Sequence, residues 1–323
     1  MDQCFLGSSG VSVSRLVLGC GNFGGIGSAP AFFGQGTSKD DAMALMDAAW
    51  EAGITTFDTA DAYGGGTSES WIGEWIRGRG AAVRDSVVIA TKTYNPMSEG
   101  ADSGLSPGRI RRQVDSSLAR LGVEHVGLFL AHEFDTEVPL AATMTAFDQL
   151  VQSGKVGAVG ASNFSAEQLE ASLDVSAREG LTRYEWVQNS FSLLDRGDDL
   201  VLAACARHGL GYTPFGPLAG GWLSGKYRRD AALPAGSRMT LRPEPYAAYR
   251  SPKVFDALEA LEHLAADLGV SMAGLALRWN LGQPAISAIV IGPNRVEHLT
   301  PALEAVAMNV SDDVLRHIGK LFE

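Results

Sequence analysis

Short apolar runs alternate with amphipathic stretches along almost the whole chain. Apolar runs bounded by glycine or polar turns predict buried strands, and apolar residues recurring every three to four positions predict helices. The first residues predict a hairpin, with 4–6 and 11–13 flanking a Gly7-Ser8-Ser9-Gly10 turn. Strands are then predicted at 16–19, 54–58, 86–91, 126–131, 156–160, 186–188, 211–213 and 287–291. Between them helices are predicted over 39–52, 68–79, 139–153 and 198–208, with Gly53 stopping the first. Two more begin at Ser106-Pro107 and Ser165, where serine suits the N-cap and proline the first helical position.

Near-continuous apolar strands, each followed by a helix, imply a parallel sheet covered by helices. Eight such units predict an α/β fold, a (β/α)8 TIM barrel spanning residues 1–323 as one domain behind an N-terminal β-hairpin. A doubly wound open sheet is the rival. Gly19-Cys20-Gly21-Asn22-Phe23-Gly24 has dinucleotide-fingerprint spacing, but the next helix starts only at 39, too far on to offer its N-terminus to a phosphate. Two segments interrupt the rhythm, 23–38, rich in glycine, and 222–251, with Pro234, Pro243 and Pro245. Both follow strands, so both are expected over the C-terminal mouth, where barrel active sites lie.

Composition narrows the function. The net charge of -11, with no run of Lys or Arg, disfavours nucleic acid and anionic membrane as partners. Three cysteines, Cys4, Cys20 and Cys205, without Cys-x-x-Cys spacing, argue against a disulfide framework or structural zinc. With no signal-peptide pattern and no long apolar run, a cytoplasmic protein is expected.

The polar residues worth notice fall at predicted strand ends. Asp58 closes the second strand and Tyr63 lies in the loop beyond; Lys92 follows the third strand and His132 the fourth. A buried charge needs a partner, and Lys92 has one in Asp58. A free phenol, with a pKa of about 10, is a weak acid near neutrality. An adjacent ammonium would lower that value and make Tyr63 a general acid for a carbonyl oxygen that His132 orients. None of these groups is a hydride source, so a reduction would need a cofactor.

Phe57-Asp58-Thr59-Ala60-Asp61-Ala62-Tyr63-Gly64 resembles the aldo-keto reductase motif, as do Ile89-Ala90-Thr91-Lys92 and the histidine closing the fourth strand. Gly160-Ala161-Ser162-Asn163-Phe164, Val187-Gln188-Asn189 and Tyr212-Thr213-Pro214 continue the resemblance in order. It implies a barrel that binds NADPH, or NADH, without a Rossmann domain and reduces aldehydes or ketones, or oxidises alcohols. Asp58, Tyr63, Lys92 and His132 would be the catalytic set. Ser162, Asn163 and Gln188 would contact the nicotinamide amide, and Tyr212, beside Pro214, would stack on its ring. The stretch from Pro217 to Lys226, with Leu218, Gly220 and Ser224, is similar to the family's pyrophosphate loop. Gly292-Pro293-Asn294-Arg295 matches the segment that receives the adenosine 2'-phosphate. The chain departs from the family at the adenosine end, where His298, Pro301 and Ala302 replace a glutamine and a Glu-Asn pair.

Phe23, Phe33, Tyr94, Phe134 and Trp222 are expected to line the substrate pocket, for a sugar or another small polar or aromatic carbonyl. Glu133, next to His132, adds a carboxylate that would favour a polar or cationic substrate. Taken singly, each of these residues has a plainer reading: a capping aspartate, a packing tyrosine, a solvated lysine, a satisfied core histidine. Their coincidence at successive strand ends favours chemistry. Similar barrels also serve as potassium-channel β subunits, so a non-catalytic, cofactor-binding regulator is the alternative. A metal-dependent hydrolase is disfavoured because only His132 of six histidines closes a strand. Oligomeric state is left open.

Overall fold

A computed structural model describes residues 1–323. Strands β1 (Gln3–Phe5) and β2 (Ser12–Ser14) form the antiparallel hairpin, with Cys4 opposite Val13. The barrel strands are β3 (Leu16–Gly19), β4 (Thr56–Asp58), β5 (Val88–Thr93), β6 (Val126–Ala131), β7 (Val156–Ser162), β8 (Trp186–Gln188), β9 (Gly211–Tyr212) and β10 (Ile289–Ile291). They pair in parallel in the order β10-β3-β4-β5-β6-β7-β8-β9. The two ends of that sheet meet: the Ser287 N–H donates to the Tyr212 carbonyl at 2.8 Å and the Val290 N–H to the Pro214 carbonyl at 2.9 Å. The sheet is thereby closed into the (β/α)8 barrel.

The core has two parts. An inner one fills the barrel with Val17, Ala90, Leu128, Leu130, Ala158, Trp186 and Val290, and the hairpin residues Leu6 and Val13 close its floor. The larger part lies between strands and helices and holds Leu45, Ile72, Val114, Phe147 and Leu275. Ser106 and Ser165 cap their helices as expected; Ser165 does so in a capping box with Gln168. Each such cap is worth about 1 kcal/mol.

Strand ends differ from expectation where pairing overrides local sequence. β5 starts at Val88, because Ser86 and Val87 turn back onto the Val83 carbonyl, and it runs on to Thr93 because Lys92 and Thr93 pair with Leu130 and Ala131. β7 extends to Ser162, which pairs with Gln188. Lys92 therefore lies inside a strand rather than beyond one.

The two long loops meet each other at the rim. Segment 23–38 folds back on itself, the Thr37 N–H reaching the Asn22 carbonyl at 2.7 Å. From 222–251, Arg238 donates to the Asn22 Oδ1 and the Arg242 guanidinium lies over the Phe32 ring. No single helix is long and apolar enough to cross a membrane.

Candidate active site

Strand alternation decides which residues reach the barrel interior. Continuing the inner-core positions by two or four residues toward the C-terminal rim leads from Ala90 to Lys92, from Leu130 to His132, from Ala158 to Ser162 and from Trp186 to Gln188. In β4 the same phase belongs to Asp58. Five strands thus place polar groups on one ring at the top of an apolar interior.

Lys92 is the hub. Its side chain is fully buried, and Nζ donates to Asp58 Oδ2 at 2.7 Å, to the Thr59 carbonyl at 2.9 Å and to the Tyr63 hydroxyl at 3.4 Å. Burial works against the ammonium, but Asp58 and Tyr63 outweigh it and hold its pKa above the ordinary lysine value. The second Asp58 oxygen accepts from Gln188 Nε2 at 2.9 Å. Tyr63 is delivered by a tight turn: Gly64, Gly65 and Gly66 all have positive φ, which only glycine adopts without strain. Its ring meets His132 edge-on at 5.6 Å.

The Tyr63 phenol differs from the expectation of a lowered pKa. Burial raises it, and the opposing pull of Lys92 is smaller. The phenol therefore stays protonated through neutral pH, which is the form a proton donor requires. His132 is pushed well below its ordinary value by burial and by the Lys92 charge, so its imidazole is neutral. Its Nδ1 is buried and has no hydrogen-bond partner.

Beside this set, Asn163 Nδ2 donates to the His132 carbonyl at 2.9 Å and approaches Ser162 Oγ and Glu133 Oε1, each at 3.3 Å. Asn163 is one of few non-glycine residues with positive φ, a strain that tends to collect at functional sites.

A second group of residues lies further round the rim. Ala219, Gly220 and Gly221 are consecutive left-handed residues, and a Cβ on Gly221 would collide with Lys226. Ser224 Oγ donates to the Gly221 carbonyl at 2.7 Å, and Leu218 is half-buried at the head of the turn. Lys226 has its pKa lowered by burial and by Arg238. His298 is lowered by burial and by Lys226 and Arg295. None of Lys226, Arg238 and Arg295 has an ion-pair partner, although the chain carries a charge of -11. Gly292 and Asn294 are exposed beside them, with open space where a Gly292 Cβ would point. Arg238 is an addition that sequence reasoning missed; its signal was a cation in a loop already marked as functional.

Four of the expected site residues, Tyr212, Pro214, Phe23 and Trp222, face away from the barrel mouth. Tyr212 has the opposite strand phase: its ring is fully buried in the outer layer, edge-on to Phe191, and its hydroxyl donates to Asp198 at 2.6 Å. Pro214 shares that outward phase and uses its carbonyl to close the barrel. The aromatic that shares the inward phase is Phe215, half-buried against the inner core and bridged to Ser190. Phe23 turns down into the core, where its N–H bonds to the Cys20 carbonyl and its ring packs on Trp71. Trp222 is buried behind its loop against Tyr227 and Phe255. Of the other pocket expectations, Phe33 lies over Gly65, Phe134 packs on Phe164, and Tyr94 sits beside Glu133 and Asp135.

A barrel whose rim carries a buried Lys–Asp pair, a protonated phenol and a neutral imidazole has the make-up of an enzyme. The model of the aldo/keto reductase family matches residues 15–323, and the chain belongs to that family. It is 35% identical over its full length to the uncharacterized oxidoreductase YrpG of Bacillus subtilis, covering 96% of that protein. To the L-glyceraldehyde 3-phosphate reductase of Escherichia coli it is 32% identical, over 95% of this chain and 88% of the other. To a probable voltage-gated potassium channel subunit beta of Oryza sativa it is 31% identical, over 93% and 90%. The chain is a nicotinamide-dependent oxidoreductase of the aldo/keto reductase type.

Proposed function

We propose that the protein reduces aldehydes and ketones to alcohols with NADPH, Tyr63 giving the proton. The observation that carries the reading is the contact of a fully buried Lys92 ammonium with both Asp58 and the Tyr63 hydroxyl. The residues present fit the cofactor: Lys226, Arg238, Arg295 and His298 gather without carboxylate partners, as a phosphate-bearing ligand requires. Lys226 beside the left-handed Ala219–Gly221 turn would hold the pyrophosphate, and Arg295 the adenosine 2'-phosphate. Asn163 and Ser162 would orient the carboxamide, and Phe215 would support the ring face. Bound NADPH supplies the hydride.

The chain's own groups do the rest. The neutral His132 donates a hydrogen bond to the carbonyl oxygen and polarises it. As negative charge develops there, the Tyr63 hydroxyl transfers its proton to that oxygen, and the phenolate left behind is stabilised by Lys92. Asp58 keeps Lys92 charged and pointed at Tyr63, and Gln188 fixes the far side of Asp58. The carbon gains the hydride and the oxygen the proton, which balances as an alcohol.

Relatives are named for a phosphorylated aldehyde and for versiconal hemiacetal acetate, so what they share with this reading is the reaction class and not a substrate. Fluorescence titration with NADPH and NADH tests the reading. Tight binding with NADPH preferred is expected, together with loss of carbonyl reduction in Tyr63→Phe by about 10²-fold or more. Binding of neither nucleotide, or full turnover by the phenylalanine variant, overturns it.

A further inference from the structure

Glu133 is a carboxylate that the mechanism above does not use. It follows His132 directly, where β6 leaves the sheet, and is half-buried at the rim. Its only polar contact is the 3.3 Å approach of Asn163 Nδ2, a group already committed to the His132 carbonyl at 2.9 Å. It belongs to no ion pair, and burial alone raises its pKa, with no lysine or arginine acting on it. The neighbouring Asp135 is different, for it is spent on the Leu105 and Glu137 N–H groups. Tyr94, just past the end of the neighbouring strand β5, is raised first by burial and then by Asp135, Glu133 and Glu137 together, so this edge of the mouth is acidic. The unpaired cations Lys226, Arg238 and Arg295 belong to the nucleotide end.

A half-buried, uncompensated carboxylate costs folding free energy unless a partner arrives from outside. We infer that Glu133 is a specificity residue: it selects carbonyl substrates bearing a cationic or hydrogen-bond-donating group and disfavours those bearing a carboxylate. The inference rests on the reductase reading and gives its pocket a sign. The phosphorylated substrate named for the Escherichia coli relative is then a poor guide to this chain's own.

The test uses the full chain with NADPH and three benzaldehydes substituted in the para position: trimethylammonio, nitro and carboxylate. For the wild type, Glu133→Gln and Glu133→Lys, kcat/KM is measured for the two charged aldehydes relative to the neutral one. Taking each ratio within one protein cancels losses of folded enzyme or cofactor affinity, including any that follow from the Asn163 contact. The cation-to-carboxylate preference is expected to fall about tenfold in Glu133→Gln and to reverse in Glu133→Lys, a tenfold change being about 1.4 kcal/mol. If the preference is the same in all three proteins while the nitro compound turns over, Glu133 does not meet the substrate and the inference is overturned alone. If the wild type binds NADPH but reduces none of the three, the pocket does not admit these carbonyls and the inference is overturned alone; if it binds neither nucleotide, the reductase reading fails and takes the inference with it.

Discussion

Replacing Asp58 by asparagine leaves Lys92 charged, fully buried and without a counter-ion. At the 2.7 Å separation, Coulomb attraction with an effective dielectric of about 20 is about 6 kcal/mol. Asparagine still accepts a hydrogen bond, and the pair's desolvation is partly returned, so the expected loss of stability is about 3–5 kcal/mol by urea unfolding. Lys92→Met should cost a similar amount, and the double variant less than the sum, since no charge is then stranded. The pH dependence has a definite sign. The folded-state pKa of Lys92 is held above its ordinary value, so the pair's stabilisation is complete below about pH 10 and fades as pH rises through the folded value. Without Asp58, burial dominates and the pKa falls. The kcat/KM of Asp58→Asn should then drop at lower pH than that of the wild type, as Lys92 loses its proton and Tyr63 its support. Additive stability losses, together with an unshifted alkaline limb, would refute the claim that Asp58 acts by holding Lys92 charged.

Other outcomes are expected. Arg295→Ala should weaken NADPH by about tenfold or more while changing NADH little, an effect of about 1.4 kcal/mol or more, checked by fluorescence titration; equal losses for both nucleotides would take Arg295 away from the 2'-phosphate. Gly221→Ala places a Cβ against Lys226 at φ +94°, so nucleotide affinity should fall and stability drop by about 1 kcal/mol or more in paired titration and unfolding measurements. His132 is held neutral by burial, so the unfolded chain gains a proton below about pH 6.5 that the folded one does not. The wild type should therefore lose stability relative to His132→Gln as pH falls from about 6.5, by up to about 1.4 kcal/mol per pH unit; parallel curves would contradict a neutral imidazole.

The order of strands and helices was written locally. Serine caps at Ser106 and Ser165, glycine stops and apolar runs act within a few residues of themselves, so the barrel and the strand ends bearing Asp58, Lys92 and His132 were legible in the sequence. Tyr63 was legible too, because its loop must turn sharply and carries three glycines to do it. What the sequence left undecided was strand phase. A parallel strand buried on both faces shows no alternation of polar and apolar residues, so nothing local told Tyr212 from Phe215. Pairing settled it: Tyr212 opposite Val187 takes the outer face, which leaves Phe215 to the inner one. Tertiary structure likewise turned Phe23 and Trp222 into core, gave Gln188 to Asp58, and let burial outweigh Lys92 at the Tyr63 phenol. A side chain's type and spacing are fixed along the chain, whereas its facing, its partners and its desolvation depend on residues tens to hundreds of positions away.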